Sequence, residues 1–393
     1  MNKPWSVATD ALLPCQRALF DIPREVCFLN AASWSPLPLA SQEAGRIGVA
    51  RKGQPWKLGP EFAPAQYQRA RVAAANLINA DPEDVALISS VSYGVATAAR
   101  LFPVPAGARV LVLEDDHSSP VLEWMTRAPQ QGFTVEVARR PDDGDWTAAV
   151  LEAIGRPGAP PLALVSISSV HWSDGGLVDL DAVAPAARAR GAALLIDATH
   201  SAGVLALDVR ALDPDFLVFP TYKWVLGPYG RAFLYIARRH QDGVPLEQTS
   251  YGRRAVVPER ASYLADTAYV TGARRFDMGE RDHFVSLEMA AIGMELMARW
   301  GSAAVVGRLR MLTDRLAAGL ADCGVTIAPA RVRAPHILSL SFPQGMPEQL
   351  FERLAAENIY VASRLGRLRI SPHVYNDEAD IDRFLAVFRS IMR

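Results

Sequence analysis

The chain has 393 residues, of which 50% are hydrophobic and 21% charged. That composition is globular, excludes a long disordered polymer, and is more than one typical ~150-residue domain holds. Its 41 basic and 42 acidic residues leave a net charge of −1, which argues against a nucleic-acid or membrane binder working through a basic face.

Short apolar runs alternate with longer amphipathic ones. Val85–Ser89 reads as a strand, followed by a Ser/Gly turn and a helical stretch over Val95–Arg100. Val110–Leu113 is the next strand, and Pro120 opens a helix to about Gln131. Phe133–Ala138 and Leu162–Ile167 read as strands, and Trp146–Ile154 and Asp181–Arg190 as helices. Ala193–Asp197 and Phe216–Phe219 are further strands. Apolar runs bounded by turn signals suit strands covered on both faces, and their alternation with helices predicts an α/β fold with a mainly parallel sheet.

The pattern changes near residue 255. Phe284–Trp300 and Ser302–Cys323 read as long helices, Ile337–Phe342 as a half-buried strand, and Pro347–Glu357 as a helix. Leu368–Ser371 is a strand, and Asn376–Met392 a final helix. The expected organisation is an N-terminal segment (1–30), a large domain (31–255) and a smaller C-terminal α+β domain (256–393).

Three cysteines, Cys15, Cys27 and Cys323, show no CxxC spacing and point to a reducing, cytoplasmic setting. No signal-peptide h-region or 18-residue apolar span is evident, so no membrane association is expected. The seven histidines are scattered, with no HExxH or Cys/His cluster, so no metal site is expected. His171 and His373 receive no role.

Only four of the 41 basic residues are lysines: Lys3, Lys52, Lys57 and Lys223. The scarcity is compositional, but Lys223 follows the apolar run Phe216–Pro220, where a solvated amine is least expected. In open α/β sheets ligands bind at the carboxyl ends of strands. Polar clusters stand at four predicted ends: Ser89–Gly94, Asp115–Ser119, Asp197–His200 and Pro220–Lys223. No G-x-G-x-x-G or P-loop pattern competes for them. An acid, a histidine and a buried lysine at neighbouring strand ends suit pyridoxal phosphate. That cofactor needs a lysine for a Schiff base, an acid facing its pyridine nitrogen, and a phosphate cradle. Arginine cannot replace the lysine, because guanidinium stays protonated.

The block Ala193–Gly203 followed by Asp215–Gly230 resembles the class V aminotransferase superfamily of fold-type I pyridoxal-phosphate enzymes, which includes cysteine desulfurases, kynureninases and isopenicillin epimerase-like proteins. The resemblance rests on Asp197, His200 three residues on, and Lys223 26 residues after the aspartate. It implies a Schiff base at Lys223, Asp197 at the pyridine nitrogen and His200 at the ring hydroxyl. By the same resemblance, Val91 and Ser92 lie in the phosphate turn, His117 stacks on the ring, Trp172 lies close to it, and Tyr222 reaches the phosphate. Pro220 stands where a serine hydroxyl is frequent, with Thr221 as its substitute. Arg369 matches the arginine that binds the substrate carboxylate, and Arg364 is a second candidate.

Two departures matter. Only four residues separate Arg364 from Arg369, where desulfurases carry a long loop with a catalytic cysteine. Glu280, in Phe276–Glu280, stands where many members supply a phosphate contact to the partner subunit, and an ionised glutamate cannot donate one. The resemblance implies a homodimer acting on an amino acid, as an aminotransferase first. A C–S or C–C lyase, an epimerase and a catalytically idle cofactor binder are the alternatives.

Overall fold

The computed structural model describes residues 12–254 and 267–393. Lys3 lies outside them, as does the segment 255–266 that abuts the expected domain boundary. The described chain opens with a short strand β1 (Cys27–Phe28) and two helices, α1 (Leu39–Lys52) and α2 (Phe62–Leu77), neither of which the sequence reading contains.

The alternating region then runs β2 (Val85–Ile88), α3 (Val91–Leu101), β3 (Arg109–Leu113), α4 (Ser118–Gln131), β4 (Thr134–Ala138) and α5 (Trp146–Gly155). It continues with β5 (Leu162–Ser168), α6 (Leu180–Ala189), β6 (Ala193–Asp197), α7 (Val209–Leu212), β7 (Phe216–Pro220) and β8 (Ala232–Ile236). These strands form one seven-stranded sheet in the order β2-β8-β7-β6-β5-β3-β4. All are parallel except β8, which runs antiparallel to both its neighbours. The mainly parallel sheet is as expected. The loop from β7 to β8 is too short to hold a crossover helix, so β8 has to return antiparallel.

Every residue of β2, β3, β6, β7 and β8 is buried. One face packs under α2, α5, α6 and the helix α8 (Phe284–Trp300), the other under α3 and α4. With strands of one direction, the ends that carry Ser89, Glu114, Ser169, Asp197 and Thr221 open on one edge of the sheet.

The C-terminal part adds α9 (Ser302–Gly319), β9 (Thr326–Ile327), β10 (Leu338–Ser341), α10 (Leu350–Ala356), β11 (Ile359–Tyr360), β12 (Ala362–Arg364), β13 (Arg367–Ile370) and α11 (Glu378–Met392). Four of these strands make an antiparallel sheet, β12-β13-β10-β9. β1 pairs in parallel with β11, and Leu29, Ala31 and Ala32 pack in the same core as β10 and β13. The N-terminal segment is thereby drawn across to the C-terminal sheet.

A buried ion pair ties α2 to the run that follows residue 267. Asp277 and Arg71 are both fully buried and meet at 2.6 Å. Asp277 also accepts from Arg281 and, at 2.8 Å, from the Leu87 N–H in β2. Asp277→Ala leaves buried guanidinium charge without its partner, which costs about 3–5 kcal/mol. The expected result is a lower urea midpoint at unchanged slope; a loss under about 1 kcal/mol contradicts this role.

Candidate active site

β6 ends in Asp197, and the turn after it is pinned by the Thr199 N–H, which donates to Asp197 Oδ1 at 2.8 Å. The other carboxylate oxygen of Asp197 has no donor among the described residues. The same turn carries His200, buried, whose Nε2 lies 3.3 Å from Lys223 Nζ. Lys223 itself, just past β7, is 6% exposed and has no carboxylate within ion-pair distance among the described residues. Burial, followed by the nearby Arg369 charge, pushes its amine down to about 7; Asp197 opposes the shift. A neutral amine is the nucleophilic form.

Arg369 stands on β13 and is 1% exposed. It donates to the Trp172 carbonyl and, at 2.9 Å, to Ser33 Oγ, while its Nε has no partner. Burial, then Arg364, push it down to about 9. Arg364 donates to the same Ser33 Oγ at 2.9 Å, and Ser33 in turn donates to Asn30 Oδ1 at 2.7 Å. Neither guanidinium meets a carboxylate among the described residues. A buried, unpaired guanidinium such as that of Arg369 is costly, and an incoming anion would relieve it.

At the end of β2, Ser90 caps α3 by accepting from the Tyr93 N–H at 3.1 Å. The cap is therefore Ser90, and Val91 and Ser92 are the first two residues of the helix. The Val91 and Ser92 N–H groups are the first two of the helix and have no acceptor among the described residues. The Ser92 hydroxyl bonds Ser119 Oγ at 3.0 Å. His117 is exposed and lies edge-on to Trp172 at 6.0 Å, and the Trp172 indole donates to the Asp115 carbonyl at 2.7 Å. Between them, Asp116 accepts from the His117 and Ser168 N–H groups and from Ser168 Oγ, fixing the β3 and β5 ends together. Tyr222 stacks on Tyr229 at 3.9 Å and lies under Lys223 Nζ at 5.6 Å. Thr221 donates its proton to the Pro228 carbonyl at 2.5 Å, so its hydroxyl is not free to replace the serine lost at Pro220.

The family model for class-V aminotransferases matches residues 59–384. The chain belongs to the class-V aminotransferase family. Its relatives include an uncharacterized aminotransferase, YcbU, of Bacillus subtilis (strain 168), 26% identical over 332 residues and 84% of each chain. Isopenicillin N epimerase of Streptomyces clavuligerus is 28% identical over 378 residues, 90% of this chain and 92% of that one. In fold, this class-V protein superposes on an apo cysteine desulfurase from Thermococcus onnurineus NA1 with a TM-score of 0.82 at 22% identity, covering 96% and 97% of the two chains.

Class-V proteins are enzymes, and their cofactor is pyridoxal phosphate. The residues present fit it. The free N–H groups at the start of α3 suit a phosphate, the unbonded Asp197 oxygen suits a protonated pyridine nitrogen, and Lys223 supplies a buried amine whose neutral form is accessible near pH 7. Ser33 and Asp116 carry no family pattern in the sequence reading. Among the described residues no cluster of three or more metal-ligating side chains occurs and no helix is long and apolar enough to cross a membrane.

Proposed function

We propose that this class-V enzyme is an aminotransferase acting on an α-amino acid, with Lys223 moving the proton at the substrate Cα. The observation that carries the reading is the buried Lys223 amine, its midpoint held down to about 7, with His200 Nε2 at 3.3 Å and the nearby charge of Arg369, a guanidinium that lacks a carboxylate among the described residues. Bound pyridoxal phosphate supplies an electron sink for the Cα–H bond. Arg369, steadied by Ser33, holds the substrate carboxylate, with Arg364 beside it. Lys223, once released from the cofactor, takes the Cα proton and returns it. Asp197 keeps the ring nitrogen protonated, His200 faces the ring hydroxyl, and His117 and Trp172 wall the ring. Val91 and Ser92 hold the phosphate, with Tyr222 at its edge.

Persulfide chemistry lacks its nucleophile. Cys27 is buried, and Cys15, Cys27 and Cys323 donate to the carbonyls of Tyr375, Asp380 and Gly319 respectively. A second reading, elimination of a β-substituent, rests on a different observation. Trp34, next to Ser33, is 59% exposed and lies edge-on to Tyr229, which stacks on Tyr222. That aromatic wall suits a bulky leaving group. The proposal includes a homodimer, supported by Ile47 and Val49 exposed on α1, and a cytoplasmic setting, supported by three free cysteines. It also places the cofactor between the seven-stranded unit and the C-terminal unit.

The test is a panel of amino acids and cysteine conjugates given to the loaded enzyme without a keto acid. The expected result is one equivalent of keto acid per site, then arrest until a keto acid is added. Continuous release of pyruvate or a sulfur product selects elimination instead, and inversion of the amino acid selects epimerisation.

A further inference from the structure

Three histidines, His200, His336 and His373, are buried around Trp224, the residue after Lys223. The indole of Trp224 is donor-only, and its Nε1 lies 3.0 Å from His200 Nδ1. His200 Nδ1 must therefore accept and carries no proton. The single proton of the neutral ring then sits on Nε2, the atom 3.3 Å from Lys223 Nζ. Burial, with the charges of Lys223 and Arg369, keeps the ring neutral.

The other two rings hold the backbones of this pair. Carbonyl oxygens only accept, so His336 Nε2–H donates to the His200 carbonyl at 2.7 Å. The His336 ring lies edge-on to Trp224 at 4.4 Å. His373 Nε2–H donates to the Trp224 carbonyl at 3.1 Å and stacks on the indole at 5.4 Å. Its Nδ1 accepts from the Val374 N–H at 2.7 Å, which completes its tautomer.

We infer that Trp224 is a positioning residue that fixes His200 as the Nε2–H tautomer, with His336 and His373 bracing the two backbones. His200 then presents a donor, never an acceptor, to Lys223 and to the ring oxygen of the cofactor. The second function rests on the proposed cofactor role of Lys223. Without the indole N–H, a neutral His200 also populates the Nδ1–H form. That form turns a lone pair toward Lys223, favours the ammonium, and raises its midpoint. The other groups acting on Lys223 are Arg369, Arg364, Asp197, His117 and the Tyr222 ring, and none of them is changed by the substitution.

The test uses full-length protein, with and without cofactor, labelled with ¹⁵N in its histidine rings and assigned with His200→Gln. Wild type is expected to show an unprotonated Nδ1 and a protonated Nε2 at His200. Trp224→Phe, and the isosteric benzothienyl-alanine replacement that deletes only the N–H, are expected to mix the tautomers. Both are expected to raise the pH midpoint of cofactor capture by about half to one unit, the scale of one lost hydrogen bond. In the His200→Gln background the same changes should shift nothing further, because the effect passes through the imidazole. A protonated Nδ1 in wild type, or an equal shift in the His200→Gln background, overturns the inference. If cofactor capture proves independent of Lys223, the cofactor role fails while the ring-nitrogen spectra still decide the tautomer.

Discussion

Lys223→Ala is expected to lower turnover by at least about 10⁴-fold, the upper range for a positioned proton carrier, because the nucleophile and the carrier are lost together. Among the described residues Lys223 has no stand-in. Lys52 and Lys57 are exposed near the end of α1, and Arg364 and Arg369 cannot give up a proton at working pH. The measurement is a single turnover with the best amino acid from the panel. A variant within tenfold of wild type contradicts the role. Partial rescue by a small primary amine supports it, since the amine replaces only the missing base.

Arg369→Gln is expected to act twice. Truncating one side of a buried, charge-assisted contact costs about 2–5 kcal/mol, so KM for the amino acid should rise by roughly 30-fold to several thousand-fold. The same change removes a positive charge beside Lys223. Because the Lys223 midpoint is held down to about 7 by burial and by Arg369, losing that charge relieves the ammonium and moves the midpoint up. Cofactor capture by the wild-type protein should rise with pH, reach half its maximum at about 7 and level off above that, as the neutral amine forms. In Arg369→Gln the plateau should begin at higher pH. A KM and a midpoint both unmoved would show that Arg369 faces elsewhere.

The centre of the site was legible because its residues sit at strand ends a short way apart in the chain. Asp197, His200 and Lys223 need only one parallel β–β step to meet, and β6 and β7 provide it. Ser33 was not legible. It reaches Arg369 through the pairing of β1 with β11 and of Ala31 with Ser371, a contact with no local pattern. The contacts of His336 and His373 with His200 and Trp224 were not legible for the same reason, since both histidines arrive from the C-terminal part.

Helix α1 was missed for a different reason. Its buried face is Ser41, Ala44, Gly45 and Gly48, so no apolar periodicity marks it. The small residues serve close approach to α8: a Cβ on Gly45 would meet Met289 Sδ at 2.9 Å, and one on Gly48 the Val285 Cα at 3.0 Å. Strand–helix alternation likewise says nothing about β8, which follows β7 without a helix. Which serine caps α3 was not legible, because Ser90 and Ser92 are equally good capping types and only the backbone distinguishes them.

The central claim is that Lys223 holds the cofactor. With four lysines in the chain, one measurement tests it directly: borohydride reduction of the loaded enzyme, followed by peptide mass spectrometry. The account predicts the reduced pyridoxyl group on Lys223 alone, with loss of the visible absorbance. The group on Lys3, Lys52 or Lys57, or on no lysine, contradicts it.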